Sequence, residues 1–104
     1  MEDFSKYSDQ ELAIAMCEGN DAAFKEIYDR YYTLLYLFAY NKIRNVEEAK
    51  DVVHDVFEWM IDHRKVFVLK TSLSSYLYKS VLNKVFNIFC HQAIVKKYIE
   101  QGDH

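Results

Sequence analysis

The chain has 104 residues, a formal net charge of −3, two Cys, two Gly and no Pro; 51% of it is hydrophobic and 16% aromatic. That length suits one domain with a core of its own, while Cys17 and Cys90, without framework spacing or a CxxC pattern, exclude a disulfide scaffold and point to a reduced intracellular protein. The polar, acidic start MEDFSKYSDQ is not a secretory signal. The most apolar run, Tyr31 to Tyr40, is about half a membrane span, so a cytoplasmic, soluble chain with no membrane insertion is expected.

With no Pro to break them, helices are favoured throughout, and four are predicted. Ser8-Asp9-Gln10-Glu11 is a capping box opening a short helix with Leu12, Ile14, Ala15 and Met16 that stops at Gly19. Asn20 caps a second, in which Phe24, Ile27, Tyr28, Tyr31, Leu34, Leu35 and Phe38 keep the three-four spacing until the polar connection Asn41 to Arg44. Asn45-Val46-Glu47-Glu48 is a further capping box, and the third helix separates into two faces. Val46, Ala49, Val53, Val56 and Met60 form a stripe, widened by Val52, Phe57 and Ile61; Glu47, Asp51, His54, Asp55, Glu58 and Asp62 lie opposite. His63 to Thr71 lacks a helical period and reads as an ordered loop, although Val66-Phe67-Val68-Leu69 is β-branched and apolar. A fourth helix starts near Thr71 or Ser72 and runs through Leu73, Leu77, Val81, Val85 and Ile88 toward Tyr98. Tyr28, Phe38, Phe57 and Leu77 are expected to be largely buried where these helices meet.

Charge divides along the chain: residues 1–65 hold 8 Lys/Arg against 14 Asp/Glu, and residues 66–104 hold 5 against 2. Such polarity suits a basic partner on one side and a polyanion on the other, or simply two solvated surfaces. Asp51-Val-Val-His54 resembles one carboxylate-x-x-His element of a dinuclear metal bundle. A second is missing, since His63 falls in the loop and His91 and His104 have no acid three residues before them. Neither Cys is in a pattern that marks activation, and no Gly-rich phosphate loop exists. The residues speak against an enzyme, and no cofactor or metal is expected. On the fourth helix Lys79, Asn83, Asn87 and His91 step by four into a ridge of donors, with Lys84 beside it and Lys70 at the approach. Tyr76, Tyr78, Phe86 and Phe89 around it suit either base stacking or core packing. Pattern alone leaves nucleic-acid contact and plain solvation equally open for this ridge.

From about Ser8 to Gln92 the chain resembles region 2 of bacterial RNA polymerase sigma factors of the small extracytoplasmic-function type. The resemblance is carried by DQELAIAMCEGNDAAFKEIYDRYY, then EEAKDVVHDVFEWM, then SLSSYLYKSVLNKVFN, in the family's order. In the middle segment the family shows Ala, any residue, Asp, two apolar residues, Gln, an acid, an apolar residue and Phe. Here stand Ala49, Asp51, Val52, Val53, His54, Asp55, Val56 and Phe57, with only the Gln replaced. The aromatic-Leu pair and downstream Asn of the last segment are Tyr76-Leu77 and Asn83.

The resemblance implies an all-α, compact bundle of about four helices, residues 1–104 forming a single region 2-like domain. It implies a transcription initiation module that docks on the β′ clamp helices of RNA polymerase and recognises and melts the promoter minus-ten element. Asp51, His54, Asp55 and Glu58 would centre the docking face. The loop at 63–72 with Lys70, Tyr76, Lys79, Asn83, Lys84, Asn87 and His91 would receive the single-stranded non-template strand. An anti-sigma factor is a further partner of such proteins. Two departures stand out. The family usually carries Arg or Lys where Cys90 and His91 stand, and the second, helix-turn-helix domain that reads the minus-thirty-five element is absent from these 104 residues; we expect the parent chain to carry it. The competing expectation is a degenerate sigma-like domain that a regulator binds and that cannot open promoters.

Overall fold

The computed structural model describes residues 3–102, and within them there are four α-helices, one 3₁₀ turn and no strand. The 3₁₀ turn spans Phe4–Lys6, α1 Asp9–Cys17, α2 Asp21–Ile43, α3 Val46–Asp62 and α4 Leu73–Gly102. The all-α architecture is therefore as expected, with helix ends set by local capping chemistry. At α1 both arms of the box form: Ser8 Oγ accepts the Glu11 N–H at 3.1 Å and the Glu11 carboxylate accepts the Ser8 N–H at 3.1 Å. These bonds, the one from the Ser8 backbone first, hold the Glu11 carboxyl below the usual carboxylate range. Gly19, at φ +99°, closes α1 in a Schellman turn, Asn20 N–H reaching Ala15 O at 3.0 Å and Gly19 N–H reaching Met16 O at 2.9 Å. Asn20 and Asn45 then cap α2 and α3, accepting the N–H groups of Ala23 and Glu48.

Three boundaries differ from expectation. The second helix continues through Asn41 and Lys42 to Ile43, whose half-buried side chain and the Lys42 ammonium, 4.8 Å from the Phe38 ring centre, hold a last turn that composition read as a connection. Arg44 ends it in the left-handed region at φ 60°. α4 begins at Leu73, with Ser72 Oγ accepting the Ser75 N–H at 3.1 Å, and extends past Tyr98 to Gly102.

The two-residue connection Arg44–Asn45 folds α3 back on α2, and aromatic pairs fix the antiparallel register. Phe57 meets Phe24 and Tyr28, with ring centres 6.2 and 4.9 Å apart, and three residues earlier His54 meets Tyr32 at 5.7 Å. Leu12 and Met16 from α1, Ile27 and Leu35 from α2, Val53 and Met60 from α3, and Leu73, Leu77, Val81 and Val85 from α4 are fully buried in one core. Phe57 and Leu77 are buried as expected. Tyr28 and Phe38 are only half-buried, because both lie on the flank of α2, Tyr28 with its hydroxyl near the surface and Phe38 edge-on to Tyr78. Val46 is exposed: in the first turn of α3 it stands above the end of the core.

A polar clasp joins the start of α1 to the middle of α2. Arg30 donates to Asp9 Oδ1 at 2.9 Å, to the Tyr7 carbonyl at 3.1 Å and to Glu26 at 3.3 Å, while the Tyr31 hydroxyl donates to the other Asp9 oxygen. Burial and then the Asp9 bond push the Tyr31 hydroxyl's pKa up, so it stays a donor. This clasp fixes α1, and α1 in turn supports the loop between α3 and α4.

Candidate functional site

Loop 63–72 is ordered by side chains that alternate in and out. Phe67 turns inward, edge-on to Tyr76 with ring centres 4.9 Å apart, and its carbonyl accepts the Cys17 thiol at 3.7 Å. Burial, with a smaller contribution from Glu18, pushes the Cys17 thiol's pKa up, so it remains a protonated donor. Leu69 also packs on the core, whereas Val66 and Val68 are each 74% exposed. Arg64 binds Asp21 at the start of α2 and pins the loop's first turn. The apolar run thus leaves a turn at Val66 and continues as irregular chain with Phe67 and Leu69 packed on the core, and no strand forms among the described residues.

The polar face of α3 is open to solvent over its full length: Glu47, Asp51, His54, Asp55, Glu58 and Asp62 are all exposed. The ion pairs among the described residues lie elsewhere, joining Lys25 to Asp29, Arg30 to Asp9 and Glu26, and Arg64 to Asp21. Asp51, Asp55 and Glu58 have no intramolecular cation within ion-pair distance among the described residues. His54 lies at the edge of this face toward α2, against Tyr32.

On the other edge α3 meets α4 across two adjoining grooves. One, of about 250 Å³, is lined by Asp55, Glu58, Trp59, Asp62, His63 and Lys84. The second, of about 370 Å³, has Val56 and Trp59 on the α3 side and Tyr76, Ser80, Asn83, Lys84 and Asn87 on the α4 side. The structure therefore gathers Tyr76, Asn83, Lys84 and Asn87 around one groove. Lys79 and His91 are exposed on α4 but do not line it. Lys70 lies apart, in a groove of about 580 Å³ between the loop and the start of α1. Of the aromatic residues around the ridge, Tyr76 and Tyr78 are half-buried against Phe67 and Phe38, while Phe86 and Phe89 are exposed. Burial pushes the Tyr76 hydroxyl's pKa up, partly offset by a bond to Ser80.

Sequence reasoning assigned Trp59 to neither face, yet it borders both grooves and is 48% exposed. Its helical phase alone does not decide this: at about 100° per residue Trp59 lies about 60° from both Asp62 and Val56, at the border of the two faces.

A four-helix module with an acidic face on α3, a donor-rich face on α4 and an ordered loop between them is built to be held by other macromolecules. The Sigma-70 region 2 family model matches residues 27–92, well over half of the chain, and the chain belongs to that family. No curated protein and no solved structure gives a significant match. Region 2 is a non-enzymatic module through which sigma factors bind RNA polymerase and recognise promoters. No helix among the described residues is long and apolar enough to cross a membrane.

Proposed function

We propose that this domain is the promoter-opening module of a small sigma factor of the extracytoplasmic-function type, working in the cytoplasm. The face of α3 centred on Asp51, His54, Asp55 and Glu58 docks on the clamp helices of polymerase β′. Loop 63–72 with Lys70, Tyr76, Lys79, Asn83, Lys84, Asn87 and His91 receives the melted non-template strand of the minus-ten element. The supporting observation is the state of the acids. Asp9, Asp21, Glu26 and Asp29 pair with cations of the same chain, while among the described residues Asp51, Asp55 and Glu58 stand unpaired in a row on a helix whose other face is core. Unpaired acids cost little in water and become attractive when a basic surface covers them.

The test is Asp51→Arg with Asp55→Arg. Both positions are exposed, so the double variant folds and keeps its circular dichroism. It loses capture by a β′ clamp-helix fragment, because truncating or reversing one member of a desolvated pair costs about 2–5 kcal/mol. Undiminished capture by the folded variant rejects α3 as the docking face.

One observation favours a second reading, a sigma-like domain that binds a regulator such as an anti-sigma factor and does not open promoters. The end of the DNA-facing helix presents Cys90 and His91 where the family usually has Arg or Lys, and Cys90 is half-buried. Promoter opening by the parent protein with core polymerase distinguishes the two.

A further inference from the structure

We infer that the flank shared by α2 and the far half of α4 is a seat for an anionic lipid bilayer. Three faces follow one another around α4. Leu77, Val81 and Val85 point into the core, and Asn83 and Asn87 line the groove toward α3. The third face carries Leu82, Phe86 and Phe89, which are 45%, 64% and 43% exposed; at about 100° per residue it lies about 110° from each of the other two. Neither surface proposed above includes it. The patch continues onto α2, because Tyr78, one turn before Leu82, meets Phe38 edge-on with ring centres 5.1 Å apart, and Leu34, one turn before Phe38, is exposed. A contiguous apolar patch of this kind marks an interaction surface.

Charge identifies the occupant. Residues 33–43 and 73–98 hold five Lys and no Asp or Glu, although the chain as a whole is acidic. By helical phase Lys79 and Lys97 stand on one side of the α4 stripe and Lys96 on the other, and the Lys42 ammonium lies 4.8 Å from the centre of the Phe38 ring. Aromatic and aliphatic side chains in a strip between lysines fit a headgroup layer, the apolar side chains entering the acyl boundary and the ammonium groups meeting anionic lipids. A second copy is disfavoured, because pairing this face with itself brings like charges together. Nucleic acid is read by donors and acceptors, and the amides of Asn83 and Asn87 are on a different face. The acids of α3 do not obstruct the seat: α2, α3 and α4 each contact the other two, so the side formed by α2 and α4 lies opposite α3. Leu82 to Ala93 spans about 16 Å of a helix whose end extends past the bundle, within reach of a flat surface. The contact is peripheral, since no helix among the described residues is long and apolar enough to cross a membrane.

The 104-residue chain is floated through a density gradient with vesicles of phosphatidylcholine alone and of phosphatidylcholine mixed with phosphatidylglycerol. Flotation with the anionic vesicles only, reversed by salt, is the expected result. Phe86→Ser with Phe89→Ser changes two exposed positions, so the double variant keeps its circular dichroism, and its partition onto anionic vesicles should fall at least about tenfold. Absence of flotation with anionic vesicles overturns the proposal, and so does a folded double variant that floats as wild type, which would reduce the contact to charge alone. Sedimentation equilibrium and anisotropy of labelled single-stranded DNA on the same two proteins identify the other occupants. A wild-type dimer that the double variant dissolves, or strand binding that it loses, each without flotation, overturns the bilayer and gives the face to a second copy or to nucleic acid. Should the phenylalanine variant fail to fold, Lys96→Glu with Lys97→Glu decides: both are exposed, flotation should be lost, and unchanged flotation overturns the proposal. None of these outcomes bears on docking through α3, which capture by the clamp-helix fragment tests by itself.

Discussion

Phe57 and Trp59 are two residues apart and have opposite environments. A step of two residues on a helix turns about 200°, so the first aromatic points into the core and the second away from it. Phe57 is 2% exposed and wedged between Phe24 and Tyr28. Phe57→Ala removes a ring from a packed site and should destabilise the domain by about 3–5 kcal/mol, measured by denaturant unfolding followed by circular dichroism. A loss under about 1 kcal/mol would mean that Phe24 and Tyr28 collapse into the vacated space. Phe57 was legible as core because it extends a three-four stripe. The half-burial of Tyr28 and Phe38 was not, since a position at the border of a stripe is decided by which neighbour reaches over it.

The α2–α3 hairpin shows how an element boundary stores strain. Arg44 adopts φ 60° to let its N–H reach Tyr40 O at 2.8 Å before Asn45 starts the next helix. A left-handed non-glycine residue costs about 1–2 kcal/mol, which the contact of its guanidinium with the Tyr40 ring at 5.8 Å offsets in part. Arg44→Gly removes the strain at some cost in unfolded-state entropy. It should raise stability by about 0.5–1 kcal/mol, seen as a higher urea midpoint at unchanged slope. A lower midpoint would show that the Arg44–Tyr40 contact outweighs the strain. α4 illustrates a different limit. Its apolar positions Leu73, Leu77, Val81 and Val85 are buried, yet Val95 and Ile99 are 42% and 58% exposed. Their sequence period is unbroken; what stops is the supply of neighbours from α1–α3.

At the scale of the molecule, the chain is elongated, 65 × 25 × 20 Å, with the exposed end of α4 extending past the bundle. The acidic and basic halves of the sequence become neighbouring surfaces, and Lys84 shares a groove with Asp55 and Glu58. That proximity lowers the net positive potential along α4. With Lys70, Lys79 and Lys84 as the cations of the proposed DNA surface, the logarithm of single-strand affinity should fall with log salt with a slope of only about −1 to −2. A titration series giving a slope of about −3 to −3.5 would bring Lys96 and Lys97, exposed near the end of α4, into the interface.

Helix number, the three asparagine and serine caps that open α1, α2 and α3, the core stripe of α3 and its acidic face were determined by sequence alone. Each depends on residues within about one or two turns of one another, where side-chain type and helical phase suffice. The grooves between α3 and α4, the exposure of Trp59 on them, and the inward turn of Phe67 and Leu69 were decided by tertiary structure. The relative placement of two helices follows from how ridges of side chains on both interlock, and no single helix's period contains that. For the same reason Asn83, Asn87 and Lys84 were legible as a ridge of donors, while the groove they share with Trp59 emerged only once α3 and α4 had packed.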